Sequence, residues 1–174
     1  LTQYKLSSNE NPLGPVPEVA RVLAEFATAH RYPDPLSTAL RQKLSARLGV
    51  DADDIVTGAG SLGALNQILK TFAGVNIDGV QDEVIYAWRS FEAYPILVGI
   101  MGARSVQVPN LPDGAHDLDA MAAAITDRTR LILVCTPNNP TGPAVTESQI
   151  RAFLAKVPAH IPVVIDEAYF EFCA

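Results

Sequence analysis

The chain has 174 residues, 48% of them apolar, with 13 Lys and Arg against 19 Asp and Glu for a formal charge of -6. That length supports one globular domain or slightly more, with a sizeable core, and the acidic balance argues against a nucleic-acid surface, whose footprint would be basic. Cys135, inside an apolar run, and Cys173, near the end, form neither a disulfide framework nor a metal pair, and no apolar stretch reaches the roughly 18 residues a bilayer requires. A soluble, cytoplasmic protein without membrane association is expected.

The segment Leu6-Ser7-Ser8-Asn9-Glu10-Asn11-Pro12-Leu13-Gly14-Pro15 reads as a loop, because Asn, Pro and Gly favour turning backbone. Pro17 suits a first helical turn, and Val19, Val22, Leu23 and Phe26 follow at helical spacing, which predicts a helix ending near His30. After the rigid turn Arg31-Tyr32-Pro33-Asp34-Pro35, Ser37 is the expected cap of a helix carrying Leu40, Leu44 and Leu48, closed by Gly49. From Ile55 the texture becomes alternating βα units, with strand-like runs at 55–57, 84–86, 105–108, 131–134 and 163–165. Leu118, Met121, Ala122 and Ile125 share one helical face, and Ile150, Phe153, Leu154 and Val157 share another, the latter opened by a capping box of Thr146 and Gln149. The expected architecture is α/β, a largely parallel (mixed) open sheet flanked by helices and preceded by an N-terminal helical arm. Leu1 in place of Met, and an end just after a buried-looking strand, are read as marks of a piece of a longer protein.

Four constellations carry chemistry. Gly58-Ala59-Gly60-Ser61-Leu62-Gly63 follows one expected strand and opens a helix, a turn that presents backbone N–H groups to a phosphate. The dinucleotide version wants an acid after the next strand, whereas Asp82 and Glu83 precede it, so that fingerprint is incomplete and a purely geometric role for the glycines stays open. Asn138-Asn139-Pro140-Thr141-Gly142 lies just after an apolar strand, where open α/β sheets contact ligands, although an ordinary Asn-Pro turn explains it equally well. Asp166-Glu167-Ala168-Tyr169 sits in the same topological position, and because burying a carboxylate after four apolar residues is costly unless a cation or several donors compensate, a positive group is expected to face Asp166, the alternative being a helix cap. Aromatics in Trp88-Arg89-Ser90-Phe91-Glu92-Ala93-Tyr94 follow another strand and offer a stacking surface or core. His30, His116 and His160 lack metal spacing and read as surface residues.

Together these motifs, with Ser8-Asn9-Glu10-Asn11-Pro12 and Arg31-Tyr32-Pro33-Asp34, resemble the fold-type I pyridoxal-phosphate-dependent aminotransferases, in the branch of histidinol-phosphate and aromatic amino acid aminotransferases. The resemblance runs end to end and implies the large-domain fold of that type, incomplete here, with 1–36 as arm and helix and 37–174 as the N-terminal part of the cofactor domain. It implies that Gly60, Ser61 and Leu62 donate backbone N–H groups to the cofactor phosphate, and that Phe91 stacks on its ring. Asp166 would pair with the ring nitrogen, and Asn139 and Tyr169 would bond the phenolic oxygen. Tyr32 would reach the phosphate in a neighbouring subunit of a homodimer, and Asn11 would lie near the substrate. The Schiff-base lysine is expected downstream, since Lys5, Lys43, Lys70 and Lys156 do not match its motif, so no catalytic residue is assigned in this chain. Residues 73–82 are longer than the usual loop. Residues 86–95 and Leu62 look closer to the actinobacterial-type phenylalanine aminotransferases, acting on an aromatic amino acid and 2-oxoglutarate by a ping-pong mechanism, than to the histidinol-phosphate enzymes of histidine biosynthesis. The rival readings are a nucleotide-binding α/β domain and a non-catalytic fragment.

Overall fold

A computed structural model describes residues 8–173, which divide into one unit ending at Ala52 and another beginning at Asp53. The first unit holds α1 (Pro17–Glu25) and α2 (Thr38–Leu48). Helix α1 stops short of His30 because Phe26 turns to extended backbone, and Thr28 and Arg31 close a separate turn through Arg31 N–H to Thr28 C=O, 2.9 Å. Ser37 does not cap α2. Asp34 takes that role, its Oδ2 accepting from Thr38 N at 2.8 Å and its Oδ1 from Leu36 N at 3.0 Å, while the side chain of Ser37 makes no capping bond. Gly49 closes α2 as expected, its N–H reaching Ser45 C=O.

The second unit is built on a four-stranded, wholly parallel sheet in the order β2-β1-β3-β4, from β1 (Glu83–Trp88), β2 (Arg104–Pro109), β3 (Thr129–Cys135) and β4 (Val163–Asp166). The helices α3 (Gly60–Phe72), α4 (Ala93–Ile100), α5 (Leu118–Ala123) and α6 (Glu147–Leu154) cover it. Central strands buried on both faces need continuous apolar runs, and β1 and β3 supply them. Val84, Tyr86, Leu131 and Leu133 pack on one face with Leu65 and Leu69 of α3 and Tyr94, Leu97 and Val98 of α4. Ile85, Ala87, Ile132 and Val134 pack on the other face with Met121 of α5 and Phe153 of α6. This two-residue alternation makes the sheet doubly wound. Helix α4 has no counterpart in the sequence reading, because the aromatic segment before it masks the spacing of Tyr94, Leu97 and Val98. The capping box of α6 forms, Gln149 N to Thr146 Oγ1 and Thr146 N to Gln149 Oε1.

Residues 55–57 are not a strand. Among the described residues no strand pairs with them, and the C=O of Thr57 accepts instead from Gln67 Nε2 of α3 at 3.0 Å. Residues 73–82 form a small loop with an antiparallel bridge between Val75 and Gln81. Asp82 anchors it through Gly74 N and Asn76 Nδ2 and lies 3.5 Å from Arg130 Nε, while Glu83 pairs with Arg104 and accepts from Thr126 Oγ1. These acids brace the N-terminal end of β1, the wrong end of the strand for holding a ribose. No helix among the described residues is long and apolar enough to cross a membrane.

Candidate functional site

The chain steps from β1 outward to β2 and then reverses to β3 and β4, so the sheet has a switch point between β1 and β3, where the crevice outside the carboxyl ends takes ligands in open α/β folds. A pocket with about 250 Å³ of empty space, partly open to solvent, lies there. Its lining comes from Ser61 on the first turn of α3, Phe91 after β1, Cys135 at the end of β3, Asn139 in the following turn, Asp166 at the end of β4, and Ala168 and Tyr169 beyond it.

The turn before α3 is fixed by close backbone approach. A Cβ on Gly58 would stand 2.7 Å from the Ala64 nitrogen, and Gly60 sits at φ +66°, a left-handed conformation. The first hydrogen bond of the helix runs from Gly63 N to Ala59 C=O, and Ala59 offers no side-chain cap. The N–H groups of Gly60, Ser61 and Leu62 therefore lack intrahelical acceptors, at the partly positive end of a 13-residue helix. Ser61 lines the pocket, and Gly60 and Leu62 flank it on the same turn.

Asp166 is only 7% exposed. Its Oδ2 accepts from Tyr94 Oη at 2.8 Å and its Oδ1 from Ala168 N at 3.2 Å, so part of the burial cost is met by donors, and no lysine or arginine among the described residues pairs with it. Cys135 stands beside Asp166 in the strand register. Burial pushes the Cys135 thiol upward, with the nearby Asp166 adding to the rise, so it stays protonated and inert. The Tyr94 hydroxyl is driven far above its ordinary value, first by burial and then by its neighbours Cys135 and Asp166, and it remains a hydrogen-bond donor at any working pH. Tyr94 is the residue that sequence reasoning missed. The available signal was its spacing with Leu97 and Val98, which places it on the buried face of α4.

The two asparagines divide the work of their turn. Asn138, 3% exposed, accepts from Ser90 Oγ at 2.7 Å and donates to Arg89 C=O at 2.9 Å and Thr141 Oγ1 at 2.6 Å, which ties the turn after β3 to the turn after β1. Asn139 is left to line the pocket. His116 is buried rather than on the surface, because the chain entering α5 folds beneath this turn, where Thr141 Oγ1 donates to Gly114 C=O. His30 and His160 are exposed as expected. Burial pulls the His116 pKa below 6.5, outweighing the opposing influence of Asn138, and neither ring nitrogen meets hydrogen-bond geometry with a described group. A neutral histidine in the folded state means that the unfolded chain binds more protons once the pH drops below about 6.5. Stability should be complete above that value and fall as the pH drops towards the lowered folded pKa. Urea midpoints of the full-length protein between about pH 7.5 and 5.5 should fall more for wild type than for His116→Gln; equal losses would contradict this.

Tyr32 and Asn11 belong to the first unit. Tyr32 is fully exposed, and Asn11 shapes its own loop by accepting from Leu13 N and donating to Gly14 C=O. Neither is among the residues lining the pocket, and neither is any of Lys43, Lys70 and Lys156. Lys156 pairs with Asp119, and Lys5 lies outside the described residues.

A doubly wound parallel sheet here brings to one crevice at its strand ends an uncapped helix start, which suits an anionic group, and a buried carboxylate, which suits a cationic one. The chain belongs to the aminotransferase class I and II family, whose model matches residues 2–174. It is 56% identical over 170 residues to an aromatic amino acid aminotransferase of Streptomyces coelicolor and 54% identical to one of Streptomyces avermitilis, in each case covering 97% of this chain and 46% of the relative. A histidinol-phosphate aminotransferase of Sinorhizobium meliloti, solved in complex with pyridoxal-5'-phosphate, superposes with a TM-score of 0.85 at 29% identity, over 94% of this chain and 44% of that one. The chain thus spans about half the length of the relatives it matches.

Proposed function

We propose that the full-length protein carrying this chain is a cytoplasmic, homodimeric, pyridoxal-phosphate-dependent aminotransferase that moves the amino group of an aromatic amino acid to 2-oxoglutarate in two half-reactions. The observation that carries the reading is Asp166, a buried carboxylate at a strand end, lining the same pocket as the uncapped first turn of α3. The residues fit the cofactor's chemistry. Gly60, Ser61 and Leu62 supply N–H donors for a phosphate, and Asp166 supplies a negative partner for a protonated ring nitrogen. Phe91 supplies a flat apolar wall, and Asn139 and Tyr169 supply polar atoms for the phenolic oxygen. When bound, pyridoxal phosphate supplies an electron sink that makes the substrate's α-proton removable.

The chain's own residues hold and orient. Asp166 keeps a proton on the ring nitrogen, the helix start fixes the phosphate, and Phe91 excludes water from one face. Tyr32 is assigned to the neighbouring subunit's phosphate and Asn11 to the substrate. The lysine that anchors the cofactor is assigned to the part of the protein beyond this chain. The identities above 50% to aromatic amino acid aminotransferases favour an aromatic donor, while the Sinorhizobium likeness keeps histidinol phosphate as the second reading. Borohydride reduction of the full-length protein with pyridoxal phosphate should add one pyridoxyl group to its intact mass, and kcat/KM should be higher for phenylalanine than for histidinol phosphate. No adduct would sink the cofactor assignment, and the reverse preference would sink the donor assignment.

A further inference from the structure

We infer that Tyr94 is a positioning residue for the cofactor, acting through both Asp166 and Phe91; this rests on the cofactor reading above. Three observations meet at this side chain. It has no exposed surface, on the buried face of α4, and its hydroxyl donates to Asp166 Oδ2 at 2.8 Å. Its ring stands edge-on to Phe91, with centroids 5.6 Å apart and planes at 84°. Its other neighbour is the core ring of Tyr86, at 5.5 Å and 64°, which leaves Tyr94 fixed from behind by the sheet. One rigid phenol therefore touches the group assigned to the ring nitrogen and the group assigned to the ring face.

The hydroxyl holds one carboxylate oxygen in place and, because burial keeps the phenol protonated, faces Asp166 as a donor only. The backbone N–H of Ala168 fixes the other oxygen. The orientation of the Asp166 carboxylate is thus set by two donors from different elements before any ligand arrives, the kind of support that makes a binding group effective without reorganisation. The edge-on contact confines Phe91 in the same way.

The test is a double-mutant cycle in the full-length protein, read as the dissociation constant for pyridoxal phosphate and the visible absorption spectrum of the bound cofactor. Tyr94→Phe keeps the ring contacts and deletes only the hydroxyl, so affinity should fall roughly ten- to a hundredfold, as expected for a hydrogen bond to a charged group. In an Asp166→Ala background, which removes the acceptor, the same change should have little further effect. An unchanged affinity in Tyr94→Phe, or an equal loss in both backgrounds, would overturn the inference and leave the cofactor reading standing. Absence of pyridoxal phosphate binding in the wild type would overturn both. Should Tyr94→Phe fail to fold, a crystal structure of the wild-type holoenzyme decides: the hydroxyl must remain on Asp166, and a carboxylate turned away from it refutes the assignment.

Discussion

Asp166→Asn in the full-length protein is expected to lower kcat by about 10²–10³-fold, the range seen when a preorganised electrostatic partner is removed. The substitution is nearly isosteric, so packing at the end of β4 should persist. The amide oxygen can still accept from Tyr94, but a neutral amide cannot hold a proton on the ring nitrogen of a bound cofactor, and the driving force for α-proton removal falls. The loss should appear in kcat and kcat/KM alike, because the interaction is needed most when charge develops. Near-normal turnover would remove Asp166 from the role assigned to it.

Gly58→Ala is expected to be the most damaging of the glycine substitutions around α3, at about 2–3 kcal/mol, the upper part of the range for overpacking. The added Cβ would meet backbone, the Ala64 nitrogen at 2.7 Å and the Gly63 carbonyl carbon at 2.8 Å, and backbone inside a helix cannot rotate away as a side chain can. Gly60→Ala meets open space and bears only the left-handed penalty of about 1–2 kcal/mol. Gly99→Ala, inside α4 with nothing within 4 Å, should be neutral or slightly stabilising. Urea unfolding of the three variants would establish the order, and Gly58→Ala ranking with Gly99→Ala would refute the packing account. The result also bears on the sequence motif. Its first glycine serves close approach and its second a turn of the opposite hand, and both are needed whether or not a phosphate binds.

The α/β class and the set of strand-end residues were legible because apolar runs alternating with helical faces leave few topologies, and parallel sheets gather ligand contacts at one edge. What escaped detection depended on long-range partners. Residues 55–57 have the composition of a strand, but a strand exists only beside another, and the Thr57 C=O accepts from the Gln67 side chain instead. Ser37 looked like the cap of α2 because it stands nearest, while the carboxylate of Asp34 reaches further and takes the N–H of Thr38. His116 sits next to a turn in sequence, yet is covered by a segment some twenty residues later. Tyr94 and its acceptor are separated by 72 positions, a distance at which local pattern carries no information. In the 138–139 pair, two identical side chains differ in role only because the first faces Ser90 and the Arg89 carbonyl, groups from another strand end.

That last contact has a mechanical meaning. Asn138 rivets the turn bearing Phe91 to the turn bearing Asn139, and Asn110 Nδ2 grips the same Arg89 carbonyl at 2.7 Å from beyond β2. Loops on separate strands would ordinarily breathe independently, each at its own rate. Here neither turn can swing outward on its own without breaking the hydrogen bonds that Asn138 makes across to the other, so the two walls of the pocket are held as one piece.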